Sequence, residues 1–81
     1  MQVLLHPAAT KYLDRLNEPT KSQVLTALER LEMSEGDIKK LVGRGGYRLR
    51  VGSVRVLFEI RQDKIIVNNI AQRGQVYKGK R

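Results

Sequence analysis

Residues 47–60 read YRLRVGSVRVLFEI, and this stretch predicts the fold. On both sides of Gly52-Ser53, apolar residues alternate with mostly polar ones, which is the period of a β-strand that buries one face. A glycine followed by a serine between two such runs fits a two-residue type II′ turn. The stretch therefore predicts a β-hairpin. Its apolar face would consist of Tyr47, Leu49, Val51, Val54, Val56, Phe58 and Ile60.

The same turn predicts which residues lie opposite each other. With Gly52-Ser53 as the loop, Arg50 faces Arg55, and Arg48 lies on the same side of the hairpin. Like charges directly opposite each other destabilise a sheet by up to about 1 kcal/mol. A bound anion would reverse the sign of this effect, whereas a chance surface pair would be screened by water and salt. Because three arginines share the face, we favour an anion site that all three guanidinium groups can reach.

The N-terminal half predicts one strand and two helices. Residues 2–6 are apolar and precede Pro7, which suits the first turn of a helix because its missing N–H is not needed there. Residues 7–16 have apolar side chains at helical spacing, and residues 17–19 (Asn-Glu-Pro) break that helix. Thr20 then begins a second amphipathic helix. Two helices joined by so short a break predict an antiparallel helical hairpin that packs on the core.

The second helix carries signals at both ends. Thr20 and Gln23 have the spacing of a capping box, and Gly36 follows the apolar stripe as a stop signal. The next segment, residues 38–46, contains three glycines but lacks the glycine and lysine spacing of a phosphate-binding P-loop. We interpret it as a flexible basic loop. Its basic residues are Lys39, Lys40 and Arg44.

Beyond the hairpin, residues 62–64 predict another turn and residues 65–71 a further strand. Apolar residues on both faces of this strand indicate an interior position, and they leave its register open. Because consecutive strands tend to be neighbours, the last three strands are expected to form an antiparallel meander. The predicted class is α+β: an N-terminal strand, a helical hairpin and a three-stranded meander in a two-layer sandwich. We expect a single domain over residues 1–81.

The composition excludes several kinds of site. The chain has 81 residues and no cysteine, which rules out disulfides and thiolate metal sites. The single histidine, His6, cannot form a histidine metal cluster, and we interpret it as a strand-end residue. The apolar runs are far shorter than the ~20 residues of a membrane span, and the start lacks a signal-peptide pattern. We expect a cytoplasmic protein with no metal, no small-molecule cofactor and no membrane partner.

Charge is unevenly distributed along the chain, whose formal net charge is +8. Residues 1–38 hold four basic and six acidic side chains, whereas residues 39–81 hold twelve basic and two acidic ones. A basic half on a small domain is typical of a polyanion partner, with nucleic acid first. Arg73 and Tyr77 follow the last predicted strand, where they could reach the rim of the basic hairpin face. A tyrosine beside arginines suits stacking on a splayed-out RNA base.

The hairpin and the residues after it resemble a known family. Residues 65–78 read IxVxxIxxRGQVYK, and together with YRLRVGSVRVLFEI they are similar to the RelE/ParE superfamily of bacterial and archaeal toxins. The RelE-like branch implies the toxin of a toxin–antitoxin system. It implies an endonuclease that cuts mRNA in the ribosomal A site by metal-free attack of the RNA 2′-hydroxyl on the adjacent phosphate. The implied partners are a RelB-like antitoxin, the ribosome and mRNA.

The resemblance also implies roles for individual residues. The predicted catalytic residues are Arg55, Arg73 and Tyr77. The predicted RNA-binding residues are Arg48, Arg50, Lys39 and Lys40, of which the two arginines match a basic pair in the family. That pair is commonly lysine in the family, and an arginine does not ordinarily deprotonate in a protein. The sequence therefore identifies no general base.

Two other functions remain open from the sequence. The superfamily also includes ParE-like inhibitors of DNA gyrase, which are binding proteins rather than nucleases. The basic hairpin face favours the nuclease, because gyrase inhibition does not need a cluster of phosphate-binding arginines. A plain RNA-binding module, or a toxin that has lost its activity, would also explain arginine at the usual lysine positions.

Overall fold

A computed structural model describes residues 1–43 and 45–72, and in that part of the chain it contains two helices and five strands. The elements are β1 (Gln2–Leu5), α1 (Pro7–Arg15), α2 (Thr20–Leu31), β2 (Asp37–Lys40), β3 (Tyr47–Val51), β4 (Val54–Arg61) and β5 (Lys64–Gln72). The strands form one sheet in the order β1-β5-β4-β3-β2. β1 pairs parallel with β5, and the other neighbours are antiparallel. The α+β class and the antiparallel meander β3-β4-β5 are confirmed.

The β3–β4 hairpin has the predicted register. Val51 pairs with Val54 and Arg50 pairs with Arg55 across the turn at Gly52-Ser53. Gly52 has φ +59°, the sign that a type II′ turn requires at its first central residue. Glycine adopts this conformation without the steric penalty of a Cβ atom.

One face of the sheet is covered by the two helices and forms the core. α1 contributes Ala9 and Leu13, and α2 contributes Val24, Leu28 and Leu31, all of them buried. The buried sheet residues of the same cluster are Leu49, Val54, Val56, Phe58, Ile65, Val67 and Ile70. We call this side the helix-covered face. Side chains that alternate with these along each strand lie on the opposite side of the sheet.

The interior position of β5 is confirmed, since it lies between β1 and β4. Its register has an irregularity: Leu57 pairs with Asn69 while Phe58 pairs with Val67, so Asn68 is an extra residue in β5. A β-bulge of this kind shifts the inside–outside alternation by one residue. Val67 and Ile70 therefore both point into the core, although strict alternation would place them on opposite faces.

The N-terminus of α1 is capped by His6. The Nδ1 atom of His6 accepts a hydrogen bond of 3.0 Å from the backbone N–H of Ala8, and Pro7 occupies the first helical position. The backbone N–H of His6 also donates to the carbonyl of Val67 at 2.9 Å. His6 thus joins the end of β1 to the start of α1, which confirms its interpretation as a strand-end residue.

The predicted capping of α2 is wrong at both ends. Thr20 is the first helical residue rather than the cap. The N-cap residue is Pro19, whose side chain makes no capping hydrogen bond. The carboxylate of Glu18 takes that role instead, since it accepts hydrogen bonds from the backbone N–H and the hydroxyl of Ser22. At the other end, the left-handed conformation falls on Ser34, with φ +60°, before Gly36 is reached.

The interpretation of residues 38–46 as a loop is wrong for its first three residues. Asp37–Lys40 form the edge strand β2, which pairs with Tyr47–Arg50 of β3. A segment with Ile38 as its one apolar residue has too little alternation to predict a strand. The exposed edge of β3 supplies the hydrogen-bonding partner that local sequence does not reveal.

No helix in the described ranges is both long and apolar enough to cross a membrane.

Candidate functional site

Basic side chains of three neighbouring strands share the side of the sheet that faces away from the helices. We call it the arginine face; it carries Asp37 and Lys39 on β2, Arg48 and Arg50 on β3, and Arg55 on β4. The strand register arranges these five side chains in two rows across the sheet. Because neighbouring strands lie ~5 Å apart, side chains within one row are direct neighbours.

The first row contains two basic residues that face each other. Lys39 of β2 pairs with Arg48 of β3, and the row continues to Leu57 of β4. Within residues 1–43 and 45–72, no carboxylate lies at ion-pair distance from Lys39 or Arg48. The side chain of Lys39 is exposed and that of Arg48 is half-buried. A like-charged pair without a counter-ion in this region is an electrostatic cost that a bound anion would remove.

The second row has a different charge pattern. Asp37 of β2 pairs with Arg50 of β3, which pairs in turn with Arg55 of β4. The Nε atom of Arg50 donates to Oδ2 of Asp37 at 2.9 Å, and about half of each side chain remains exposed (53% and 50%). The facing arginines inferred from the sequence are present. The sequence reasoning missed Asp37, because its segment was assigned to a loop.

Arg55 is on the predicted face, but it is buried. Its exposed fraction is 6%, and its Nη1 atom donates to the carbonyl of Gly52 at 3.0 Å and to that of Val54 at 3.3 Å. The guanidinium group is therefore directed back toward the turn that precedes it. The expectation that all three arginines stand open to an anion is wrong for Arg55, because a guanidinium that bonds backbone carbonyls becomes part of the packed structure.

Two further predicted residues lie in different surroundings. Lys40 pairs with Tyr47, whose ring stacks on Phe58 at a centroid distance of 5.5 Å on the helix-covered side. Alternation along β2 therefore separates Lys40 from Lys39. Arg73 and Tyr77, both predicted to be catalytic, lie outside the described residues, as does Arg44 of the basic segment.

A second acidic group lies farther along the same face, on β4. Glu59 accepts hydrogen bonds from Nε of Arg61 at 2.6 Å and from Nδ2 of Asn68, the bulged residue of β5, at 2.9 Å. These two hydrogen bonds, with that of Asn68 the larger cause, lower the pKa of the Glu59 carboxyl below its ordinary value. Glu59 is therefore an ionised, locally satisfied carboxylate.

Across residues 1–43 and 45–72, no three histidine, aspartate or glutamate side chains are grouped as potential metal ligands. The chemistry that the described face offers is charge: one ammonium and two guanidinium groups with exposed or half-buried side chains, and one buried guanidinium. Arginine and lysine in such an arrangement bind phosphate groups, arginine by paired hydrogen bonds and lysine as a point charge.

A helical hairpin on one face of a mixed five-stranded sheet is the fold of the RelE/ParE class of small α+β toxins. The chain matches a family model described as the ParE toxin of type II toxin-antitoxin system, parDE, over residues 3–77, and it belongs to that family. A search of curated proteins finds no match.

Solved structures support the same class and point to its RelE-like branch. A chain of the RelB-RelE antitoxin-toxin complex from Methanococcus jannaschii is 26% identical, with a TM-score of 0.80 and coverage of 94% of this chain and 96% of that one. A chain of the archaeal RelE-RelB complex from Pyrococcus horikoshii OT3 is 25% identical, with a TM-score of 0.76 and coverage of 91% and 96%. The isolated RelE toxin of E. coli shares the fold at 18% identity, with a TM-score of 0.70 and coverage of 98% and 93%.

Proposed function

We propose that this toxin is a ribosome-dependent endonuclease that cuts mRNA in the ribosomal A site. The observation that carries the proposal is the row formed by Lys39 and Arg48, two basic side chains directly opposite each other with no carboxylate at ion-pair distance in the described residues. Arg50 extends the positive surface on the same strand. The similarity to RelE structures at 25–26% identity supports the same activity.

The proposed reaction needs no redox partner. The 2′-hydroxyl of the RNA gives its proton to solvent water and its oxygen attacks the adjacent phosphorus, while the bond from phosphorus to the 5′-oxygen of the next nucleotide breaks. That leaving oxygen takes up a proton. The products are a 2′,3′-cyclic phosphate and a 5′-hydroxyl end. Negative charge grows on the phosphate during the reaction, so fixed guanidinium groups stabilise the transition state.

In this proposal the basic residues have different tasks. Lys39, Arg48 and Arg50 bind the RNA backbone from solvent-accessible positions. Arg55 stabilises the scissile phosphate by its positive charge from a fixed, buried position, because its Nη1 is anchored on the turn carbonyls. Arg73 stabilises the same phosphate and donates a hydrogen bond to the leaving oxygen, which takes its proton from solvent water. Lys40 is not included, since its register places it on the opposite side of the sheet from Lys39.

The proposal gives Tyr77 the task of stacking on or orienting the RNA. An unperturbed tyrosine has a pKa of ~10, and arginine remains protonated, so neither supplies a strong base at neutral pH. The ribosome orients the RNA so that its 2′-oxygen is in line with the bond that breaks. This orientation compensates for the missing base, because positioning alone supplies much of the barrier reduction in such reactions.

A RelB-like antitoxin is the proposed protein partner, and the cytoplasm, where translation takes place, is the proposed location. The support is that the M. jannaschii and P. horikoshii structures are toxin–antitoxin complexes. A partner with an acidic surface would complement the basic half of this chain.

Inducible expression followed by mapping of RNA 5′ ends tests the activity. We expect growth arrest and new 5′ ends inside the coding regions of translated mRNAs, and we expect these ends to disappear when translation initiation is blocked. New ends that persist without translation would show a different RNase. Growth arrest without new ends would contradict the nuclease proposal altogether.

Two adjacent lysines provide a matched test of the site. Lys39→Gln removes a charge from the arginine face, whereas Lys40→Gln removes one from the other side of the same strand. Loss of one phosphate contact is expected to weaken RNA binding about threefold to tenfold in Lys39→Gln, with little change in Lys40→Gln. Equal effects of the two substitutions would show that only overall charge matters.

Gyrase inhibition is the second candidate, because the family model that matches the chain is described as a ParE toxin. A supercoiling assay with purified DNA gyrase separates the two functions. The nuclease proposal predicts full gyrase activity in the presence of this protein at concentrations that arrest growth. Inhibition of supercoiling, together with intact mRNA in cells, would establish the alternative.

A further inference from the structure

The ion pair between Asp37 and Arg50 places an acidic group inside the proposed RNA-binding surface. Asp37 lies in the same row as Arg50 and Arg55, and its Oδ2 accepts from Nε of Arg50 at 2.9 Å. A carboxylate in this position uses a guanidinium N–H that an RNA phosphate would otherwise take. The protein therefore holds its own anion where the proposed ligand has to bind.

The exposure of the Asp37–Arg50 ion pair makes it easy for a phosphate to replace the Asp37 carboxylate. Both side chains are about half exposed (53% for Arg50, 50% for Asp37), and solvent-exposed ion pairs contribute little to stability. Breaking the pair costs little, and the phosphate gains a charge-assisted partner.

We propose that Asp37 is an internal competitor of RNA for Arg50. In the free protein Asp37 holds the Arg50 guanidinium, and the RNA phosphate displaces it when the backbone is correctly placed. This inference rests on the proposed function and deepens it by assigning a regulation to the same site. Asp37 is a positioning residue that acts through Arg50. Asp37 lowers the affinity for RNA whose phosphate is not placed to displace it from Arg50. RNA that is held with a phosphate at Arg50 is therefore preferred.

Glu59 provides a matched control on the same face. Like Asp37, Glu59 is a strand carboxylate on the arginine face. It likewise accepts a hydrogen bond from an arginine Nε, in this case that of Arg61 at 2.6 Å. It lies on β4 in a different row from Asp37 and Arg50. Glu59→Gln and Asp37→Asn therefore remove the same charge from the same side of the sheet, but only Asp37→Asn releases Arg50.

A double-mutant cycle on the full chain tests the inference. The probe is a fluorescein-labelled single-stranded RNA oligonucleotide, titrated by anisotropy at one fixed salt concentration with wild type, Asp37→Asn, Arg50→Gln and the double variant. We expect Asp37→Asn to bind RNA about threefold to fivefold more tightly and Arg50→Gln to bind more weakly. In the Arg50→Gln background the gain from Asp37→Asn is expected to fall below about twofold. Glu59→Gln is expected to change affinity by less than about twofold.

Each other outcome overturns a defined part of the inference. Unchanged affinity in Asp37→Asn, with weakened binding in Arg50→Gln, overturns the competitor role while the proposed function stands. An equal gain with and without Arg50 shows that Asp37 repels phosphate through its charge alone, which also overturns competition. Wild type that does not bind the free RNA oligonucleotide overturns this inference, whereas the proposed function is overturned separately, by growth arrest without new RNA 5′ ends. If Asp37→Asn lowers the melting temperature by more than a few degrees, Asp37→Ser replaces it in the same cycle, and the conservative Asp37→Glu should restore wild-type affinity.

Discussion

The two faces of the sheet are built from the same strands, yet they carry different properties of the protein. Leu49 is 1% exposed and packs in the core, whereas its sequence neighbours Arg48 and Arg50 lie on the arginine face. Because side chains alternate along β3, neighbouring residues contribute in turn to the stability of the core and to the proposed RNA binding. Arg55 is the exception, because it lies on the arginine face and is buried. Strand alternation therefore predicts on which face of the sheet a side chain lies, but it does not predict how exposed that side chain is.

Truncation of a core side chain on the helix-covered face should cost more stability than any change on the arginine face. Leu49→Ala removes a side chain that is 1% exposed, so it should lower the free energy of unfolding by about 3 kcal/mol through lost burial and a residual cavity. Urea denaturation measures the loss. The matched variant Arg48→Gln, one residue away on the other face, should stay within about 0.5 kcal/mol of wild type. Similar losses in the two variants would break the division between the faces.

Arg55 combines a place on the arginine face with burial in the packed structure. From the sequence alone, Arg55→Ala is expected to abolish growth arrest without unfolding the protein. The structure adds a stability loss of about 1–2 kcal/mol, since the substitution removes hydrogen bonds to the carbonyls of Gly52 and Val54. Thermal unfolding of the variant, measured beside the toxicity assay, checks both expectations. A variant with wild-type stability would show that the burial of Arg55 contributes nothing to folding.

The cap of α1 affects the helix layer alone. His6→Ala removes the acceptor of the Ala8 N–H, which should lower the free energy of unfolding by about 1 kcal/mol. RNA binding by the folded protein should not change, since His6 follows β1, at the opposite edge of the sheet from β2 and β3. His6→Asn, which retains a capping acceptor, should recover much of the loss. Equal losses in both variants would show that the hydrogen bond to Ala8 is not the cause.

The smallest expected effect concerns pH. Because hydrogen bonds from Asn68 and Arg61 lower the pKa of Glu59 below its ordinary value of 4.5, its ionised form stabilises the folded state. That contribution is present above the unfolded-state pKa and is lost as the pH falls through the lower folded-state pKa. Between about pH 5 and pH 3, wild type should therefore lose more stability than Glu59→Gln. Parallel stability profiles for the two proteins would contradict this.

The part of the fold that the sequence predicts is the part encoded locally. The two-residue period and the Gly52-Ser53 turn together specify the β3–β4 register, because a slip of one residue would bury the arginines. The register of β5 was not predictable, since the bulge at Asn68 changes which apolar residues face the core. β2 was missed because Asp37–Lys40 holds one apolar residue and becomes a strand by pairing with β3.

The candidate site was likewise predictable from the sequence only in part. Its facing arginines follow from the hairpin register and were predicted. The counter-ion Asp37 depends on the pairing of β2, and the burial of Arg55 depends on contacts formed in three dimensions. Neither leaves a signal in the sequence around the residue concerned.

The parallel pairing of β1 with β5 has a consequence for synthesis. Gln2 pairs with Lys64 and Leu5 with Val67, so the first strand to be translated finds its partner only when the last described strand has emerged from the exit tunnel. Contacts between such distant parts of a chain form late, because the intervening segment has to be ordered first. A nascent copy therefore cannot complete its five-stranded sheet until β5 has been synthesised.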